Sequence, residues 1–186
     1  MDRRLNFSRR PGAILEAIMN AAIKIIDRIS ETIGHCIAWL ALIMMILTGV
    51  VVIARYFFNF GSIAIQESIM YLHATLFMLG IAYTLKQGGH VRVDILQRNL
   101  SPRRQCQIEL IGFVIFLLPV ALFMFFSSLN YVRFSWSLLE SSGAPGGLPG
   151  IFLLKTLIPI MALGLLLQGI AEALKNLVKL RTAHHG

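Results

Sequence analysis

The chain has 186 residues, of which 56% are hydrophobic and only 14% charged, with a formal net charge of +8. So small a charged fraction excludes an ordinary soluble domain. The basic residues lie between long apolar runs instead of gathering on one unit, which excludes a nucleic-acid surface and leaves membrane lipid as the expected environment.

In chain order, residues 1–32 form a basic N-terminal segment. Within it Ile14, Leu15, Ile18, Ala22, Ile25 and Ile29 recur at helical spacing, and Glu16, Asn20, Lys24, Asp27 and Glu31 share the opposite face. This periodicity predicts an amphipathic helix in the cytoplasmic interface, its apolar face in lipid or against a partner's helices, with a cytosolic lead-in that continues the first helix as the alternative. A first apolar run follows over 33–54. It begins too late and runs too long for a signal-peptide core, and Arg55-Tyr56-Phe57-Phe58 stands where a small-residue cleavage site would be needed. The run is therefore expected to stay attached as a signal anchor.

A second run covers 63–85 and carries Gln66 and Glu67 near its start. Gly88-Gly89 end it, and His90-Val91-Arg92-Val93-Asp94 continue into a loop that closes at Ser101-Pro102. Ser101 as N-cap and Pro102 at the first helical position start a third helix ahead of its apolar run, 110–132, in which Pro119 predicts a kink or a broken hydrogen bond. Ser141 to Gly150, with Gly146, Gly147 and Pro149, is too rich in Gly and Pro for helix or strand. The fourth run, 151–171, contains Lys155 and Pro159, the latter expected to kink its outer half. A tail, 172–186, closes the chain.

A hydrocarbon core of about 30 Å needs roughly 20 helical residues, so each run is long enough to span. The expected fold is an all-α membrane protein with four transmembrane helices. Lys and Arg crowd the segment before the first run, the 86–104 connection and the tail; the other two connections hold only Arg55, Arg133 and Lys155 at the mouth of the last helix. The positive-inside rule then places both termini and the middle loop in the cytoplasm. Cys36 and Cys106 fall on that side, where a structural disulfide is not expected.

Span interiors are nearly devoid of ionisable residues, whereas a carrier acting alone needs them at mid-membrane. Arg55, Glu67, Arg133, Glu140 and Lys155 cluster towards the outer ends. An interfacial ion pair of Glu67 with Lys155 or Arg55 fits that clustering, with packing as its role. His35 and His73 raise the alternative of a cytochrome b-like or membrane-anchor subunit of a redox complex. On antiparallel helices, however, they lie at heights about 15 Å apart, too far to share one haem iron. No catalytic, metal-binding or cofactor-binding set stands out, so no enzymatic activity and no cofactor in this chain are expected. A homo-oligomeric pore is the remaining competitor.

Several segments together resemble a known family, the small permease subunit, or DctQ component, of tripartite ATP-independent periplasmic (TRAP) transporters. They are Arg55-Tyr56-Phe57-Phe58, Glu67, Leu79 to Leu85 leading to Gly89-His90-Val91-Arg92-Val93-Asp94, Gly146-Gly147-Leu148-Pro149, Lys155, Ile158-Pro159 and Leu167-Gln168-Gly169. The lead-in and the His-Val-Arg-Val-Asp loop look most like the mannitol/chloroaromatic-type branch. The resemblance implies a bacterial inner-membrane location and a large permease subunit holding the substrate and sodium sites. It also implies a periplasmic solute-binding protein and symport of an organic acid on a sodium gradient. The small subunit then steadies a fixed scaffold beside a moving large subunit. By the same resemblance, the outer Gly-Pro loop is expected near where the binding protein would dock. The family commonly has a second acidic residue beside Glu67; here the neighbours are Gln66 and Ser68. The loop of His90, Arg92 and Asp94 is read as a cytoplasmic turn tied by its own hydrogen bonds, with anchoring of the large subunit as a compatible role.

Overall fold

A computed structural model describes residues 11–89 and 100–182. The described chain is helical: α1 (Pro11–Phe58), α2 (Ile63–Lys86), α3 (102–137) and α4 (Ile151–Thr182). All four are long and apolar enough to cross a membrane. The predicted runs thus lie inside the observed helices, three of which extend well past them. His90, Arg92 and Asp94 lie outside the described residues.

The chemistry of the ends explains where the helices stop. Pro11 opens α1, where its missing N–H is no loss. At the other end Asn59 takes a left-handed conformation (φ 50°) and Phe60 donates its N–H to the Ala54 carbonyl at 3.0 Å. After α2, Gly88 (φ 68°) donates to Leu85 O at 3.1 Å and Gly89 to Thr84 O at 2.9 Å, a Schellman motif that confirms the predicted stop. Ser101 flanks the start of α3 in extended conformation with Pro102 inside it, although the serine side chain caps no N–H.

The predicted disturbance at Pro119 takes a defined form. Residues Phe113–Leu117 of α3 are a π-helical turn joining the α-helical segments Pro102–Gly112 and Leu118–Ser137. Proline has no N–H to give the carbonyl of Ile115, and its ring crowds that oxygen; the wider turn relieves both problems without ending the helix. Pro159 is buried within α4, which continues through it.

The amphipathic lead-in is not a separate helix but continues into the first apolar run: α1 runs unbroken across residue 32 for 48 residues, about 72 Å. Its orientation also has an informative sense. Ile14, Ile18, Ile25 and Ile29 face outward, all about half exposed or more, whereas Ile23 and Ser30 are buried. The side covered by the rest of the chain is the one bearing Ile23, Asp27 and Ser30, while Glu16, Asn20, Lys24 and Glu31 stay exposed along with these isoleucines.

α4 is the central element and packs against α1, α2 and α3, while α1 also lies along α2. Two glycines permit the closest approaches. A Cβ at Gly34 would overlap the Tyr83 ring between α1 and α2. One at Gly169 would come within 2.7 Å of Leu117 and 2.8 Å of the Phe113 ring, both in the π turn of α3. The small interior is consistent with a membrane protein: most large apolar side chains, including Trp39, Phe57, Phe116 and Phe123, point outward.

Candidate functional site

The polar side chains that pair gather at two ends of the bundle. At one end Glu67, in the second turn of α2, receives the loop between α3 and α4. Its Oε1 accepts a short hydrogen bond from the Ser142 hydroxyl, and its Oε2 accepts the Leu148 N–H at 2.6 Å. The loop closes on itself through Ser142 N–H to Leu148 O at 3.1 Å and Ala144 N–H to Ser142 Oγ at 3.1 Å. Gly146 adopts φ 78°, and a Cβ on Gly147 would lie 2.7 Å from Glu67 Oε1 and collide with Ser142. The two glycines are therefore needed for different reasons, one for conformation and one for room. Pro149 is exposed, and Gly150, buried beside the Tyr71 ring, leads into α4. The Tyr71 hydroxyl is buried with no hydrogen-bond partner among the described residues.

Lys155 does not join Glu67. It pairs with Glu140 at 2.5 Å and stands 4.1 Å above the Tyr131 ring. Glu140 also accepts the Ser135 hydroxyl at 2.6 Å. A second Schellman motif delivers Glu140 there: Leu139 is left-handed (φ 46°), and the N–H groups of Leu139 and Glu140 bond Trp136 O at 3.2 Å and Ser135 O at 3.1 Å. The ammonium of Lys155 and the hydroxyl of Ser135 hold the Glu140 carboxyl below its ordinary range. Trp136 Nε1 donates to Thr156 Oγ1 at 2.8 Å, tying α3 to α4 at the residues next to Ser135 and Lys155. Arg55 is exposed at the end of α1 and takes no part in these contacts. The expected pairing of Glu67 with Lys155 or Arg55 is thus replaced by two separate anchors, Glu67 for the loop and Glu140 for Lys155. Loop backbone donors reach Glu67 first, and a chain reversal at Leu139, which spacing does not show, brings Glu140 to Lys155.

At the opposite end a polar knot joins α1, α2, α3 and α4. Gln168 is fully buried. It accepts the Ser30 hydroxyl at 2.7 Å and donates to Asp27 at 3.0 Å and Glu172 at 3.1 Å. Lys175 bridges Asp27 at 2.9 Å and Glu172 at 2.7 Å. Lys86 reaches from α2 to Glu31 at 2.9 Å and to the Asp27 carbonyl at 3.1 Å. Asn176 donates to Glu109 of α3 at 2.7 Å. Sequence reasoning assigned Asp27 and Glu31 only to a polar helix face, and Gln168 entered only as part of the family resemblance. Helical spacing on α1 and α4 shows each polar face, but not that the two faces meet.

These features define the class: a multi-pass membrane protein whose four long apolar helices are knitted by polar contacts near their ends. The family model for tripartite ATP-independent periplasmic transporters, DctQ component, matches residues 44–179. Since that match spans well over half of the chain, the protein belongs to the DctQ family and is a small permease component of a TRAP transporter. Comparison with curated proteins and with solved structures gave no match.

Proposed function

We propose that this chain is the non-catalytic scaffold subunit of its transporter, holding in place a large permease subunit that carries the substrate and sodium sites. A periplasmic binding protein delivers the solute, an organic acid, and the sodium gradient drives its symport across the bacterial inner membrane. The chain itself needs no cofactor in this reading. Membership of the DctQ family is the observation that carries it. Its support in the architecture is the position of the paired ionisable groups, Glu140 with Lys155 at one end and Asp27 with Lys175 at the other. Such placement fixes helices against each other and leaves the intervening apolar length as a wall. The distribution of Lys and Arg favours cytoplasmic termini and puts the 141–150 loop, anchored on Glu67, on the periplasmic side facing the binding protein. The likeness to the mannitol/chloroaromatic-type branch concerns ancestry and leaves the solute open. Arg55, Glu67, Gly146, Gly147, Pro149, Lys155 and Pro159 act as structural and interface residues in this reading, and the His90, Arg92 and Asp94 segment as a cytoplasmic anchor.

The test is reconstitution into vesicles of this chain alone, and together with the large subunit and the binding protein, under an imposed sodium gradient. Uptake of labelled organic acids is expected only with all three components. Uptake by this chain alone would overturn the scaffold reading.

A further inference from the structure

We infer that the outward face of α2 centred on His73 is covered, in the assembled transporter, by a transmembrane helix of the large permease subunit bearing a hydrogen-bonding group at mid-bilayer depth. The inference rests on the subunit reading above and specifies which surface makes the contact.

Gln66, Met70, His73, Phe77 and Thr84 form one exposed stripe on α2, at intervals of one and two helical turns. His73 lies ten residues from Ile63 and thirteen from Lys86, so about 15 Å and about 20 Å from the two ends of the helix. That is the middle of the hydrocarbon, where acyl chains offer an imidazole neither donor nor acceptor. The other small polar side chains at comparable depth are satisfied locally. Thr48 donates to Met44 O, Thr75 to Tyr71 O and Ser127 to Met124 O. His73 has no such carbonyl contact and no hydrogen-bond partner among the described residues. An imidazole always retains at least one N–H to satisfy, and a protein neighbour is the available source of an acceptor at this depth.

The surface beside His73 has the shape for such a neighbour. A groove of about 570 Å³ runs between α1 and α2, lined by Ala38 and Ala41 on one side and Phe77, Ile81 and Thr84 on the other, above Gly34 and Gly80, which Tyr83 and Ile37 already cover. Small side chains let a third helix approach the backbone closely, and its polar group then meets His73 at the rim. The remaining outward faces differ in chemistry. The back of α1 presents Ile43, Ile46, Val50 and Ile53, and α3 presents Phe116, Val120, Phe123 and Phe126. Those surfaces suit lipid, and Asn130, exposed on α3 without a hydrogen bond among the described residues, lies only about 10 Å from the end of its helix at Ser137.

The experiment places a benzoylphenylalanine photocrosslinker at Met70 or Phe77, and for comparison at Ile43 or Phe123, in the chain co-expressed with its large subunit and binding protein. Irradiation is expected to join the large subunit at positions 70 and 77 and not at 43 and 123. Crosslinks to the large subunit from 123 or 43 with none from 70 and 77 overturn the assignment of the face while leaving the subunit reading standing. Chain-to-chain crosslinks from 70 and 77 overturn it in favour of a second copy. Failure of the large subunit to co-purify with the unsubstituted chain overturns the subunit reading and the proposal together. In a parallel measurement, His73→Leu lowers recovery of the large subunit about threefold, the size expected for one interhelical hydrogen bond, whereas His73→Gln retains it. Equal recovery for His73→Leu and wild type, at equal membrane levels of the chain, removes the hydrogen-bonding role.

Discussion

Leu139 and Glu140 act as a pair. A leucine in the left-handed region costs roughly 1–2 kcal/mol, and here it accompanies the turn that aims Glu140 at Lys155 and Ser135. Leu139→Gly is therefore expected to stabilise the detergent-solubilised protein by roughly 1 kcal/mol, read as a raised thermal midpoint. A fall would show that the leucine side chain contributes more than its backbone costs. The Glu140 carboxyl is held below its ordinary range by Lys155 and then by Ser135. Its contribution to stability is thus complete above the ordinary carboxylate range and disappears as pH falls through the lowered folded value. The thermal midpoint of wild type should exceed that of Glu140→Gln at pH 7, and the gap should close below about pH 4. A gap that persists there would assign the effect to packing instead of charge.

At the scale of elements, the helices meet where side chains are missing. Gly34 lies under the Tyr83 ring, and Gly169 lies under Leu117 and Phe113. Leu117 is a flexible contact able to move aside, but Tyr83 presents three ring atoms to Gly34. Gly34→Leu should therefore force α1 from α2 and cost about 1–3 kcal/mol, whereas Gly34→Ala should cost less. Disulfide trapping between cysteines placed on the facing sides of α1 and α2 would register the separation, and unchanged trapping in Gly34→Leu would refute close packing there. The π turn in α3 belongs to the same scale. Pro119 makes a disturbance necessary, and the Gly169 contact gives the bulged segment, Phe113 and Leu117, a place to pack.

For the whole molecule, the knot around Gln168 is the long-range tie: Ser30 and Gln168 are 138 residues apart in sequence. Gln168→Leu removes the acceptor for Ser30 and one donor to Asp27 while adding no polar partner, and should cost about 1–3 kcal/mol. The loss should appear as a lower thermal midpoint, together with faster exchange of α1 amides near residues 27–30. Exchange that changes only in α4 would mean that α1 is held by its apolar contacts alone. The same knot explains the orientation of α1. Once Asp27 and Ser30 are committed to Gln168 and Lys175, Ile14, Ile18, Ile25 and Ile29 must face away from the bundle.

The sequence by itself determined the four apolar helices, the stop at Gly88-Gly89 and the start at Ser101-Pro102, and the family, because hydrocarbon thickness, backbone satisfaction and short-range turn chemistry act on contiguous residues. The disturbance at Pro119 was likewise legible, since a proline's missing donor is a local fact. Only the tertiary structure decided that Lys155 belongs to Glu140 and Glu67 to the 142–148 loop, that Asp27 and Ser30 of the lead-in turn inward, and that His73 is left facing outward. Helical spacing gives the direction of a side chain around its own axis. The partner depends on how several axes are placed together, and that placement is set by packing among residues up to 148 positions apart.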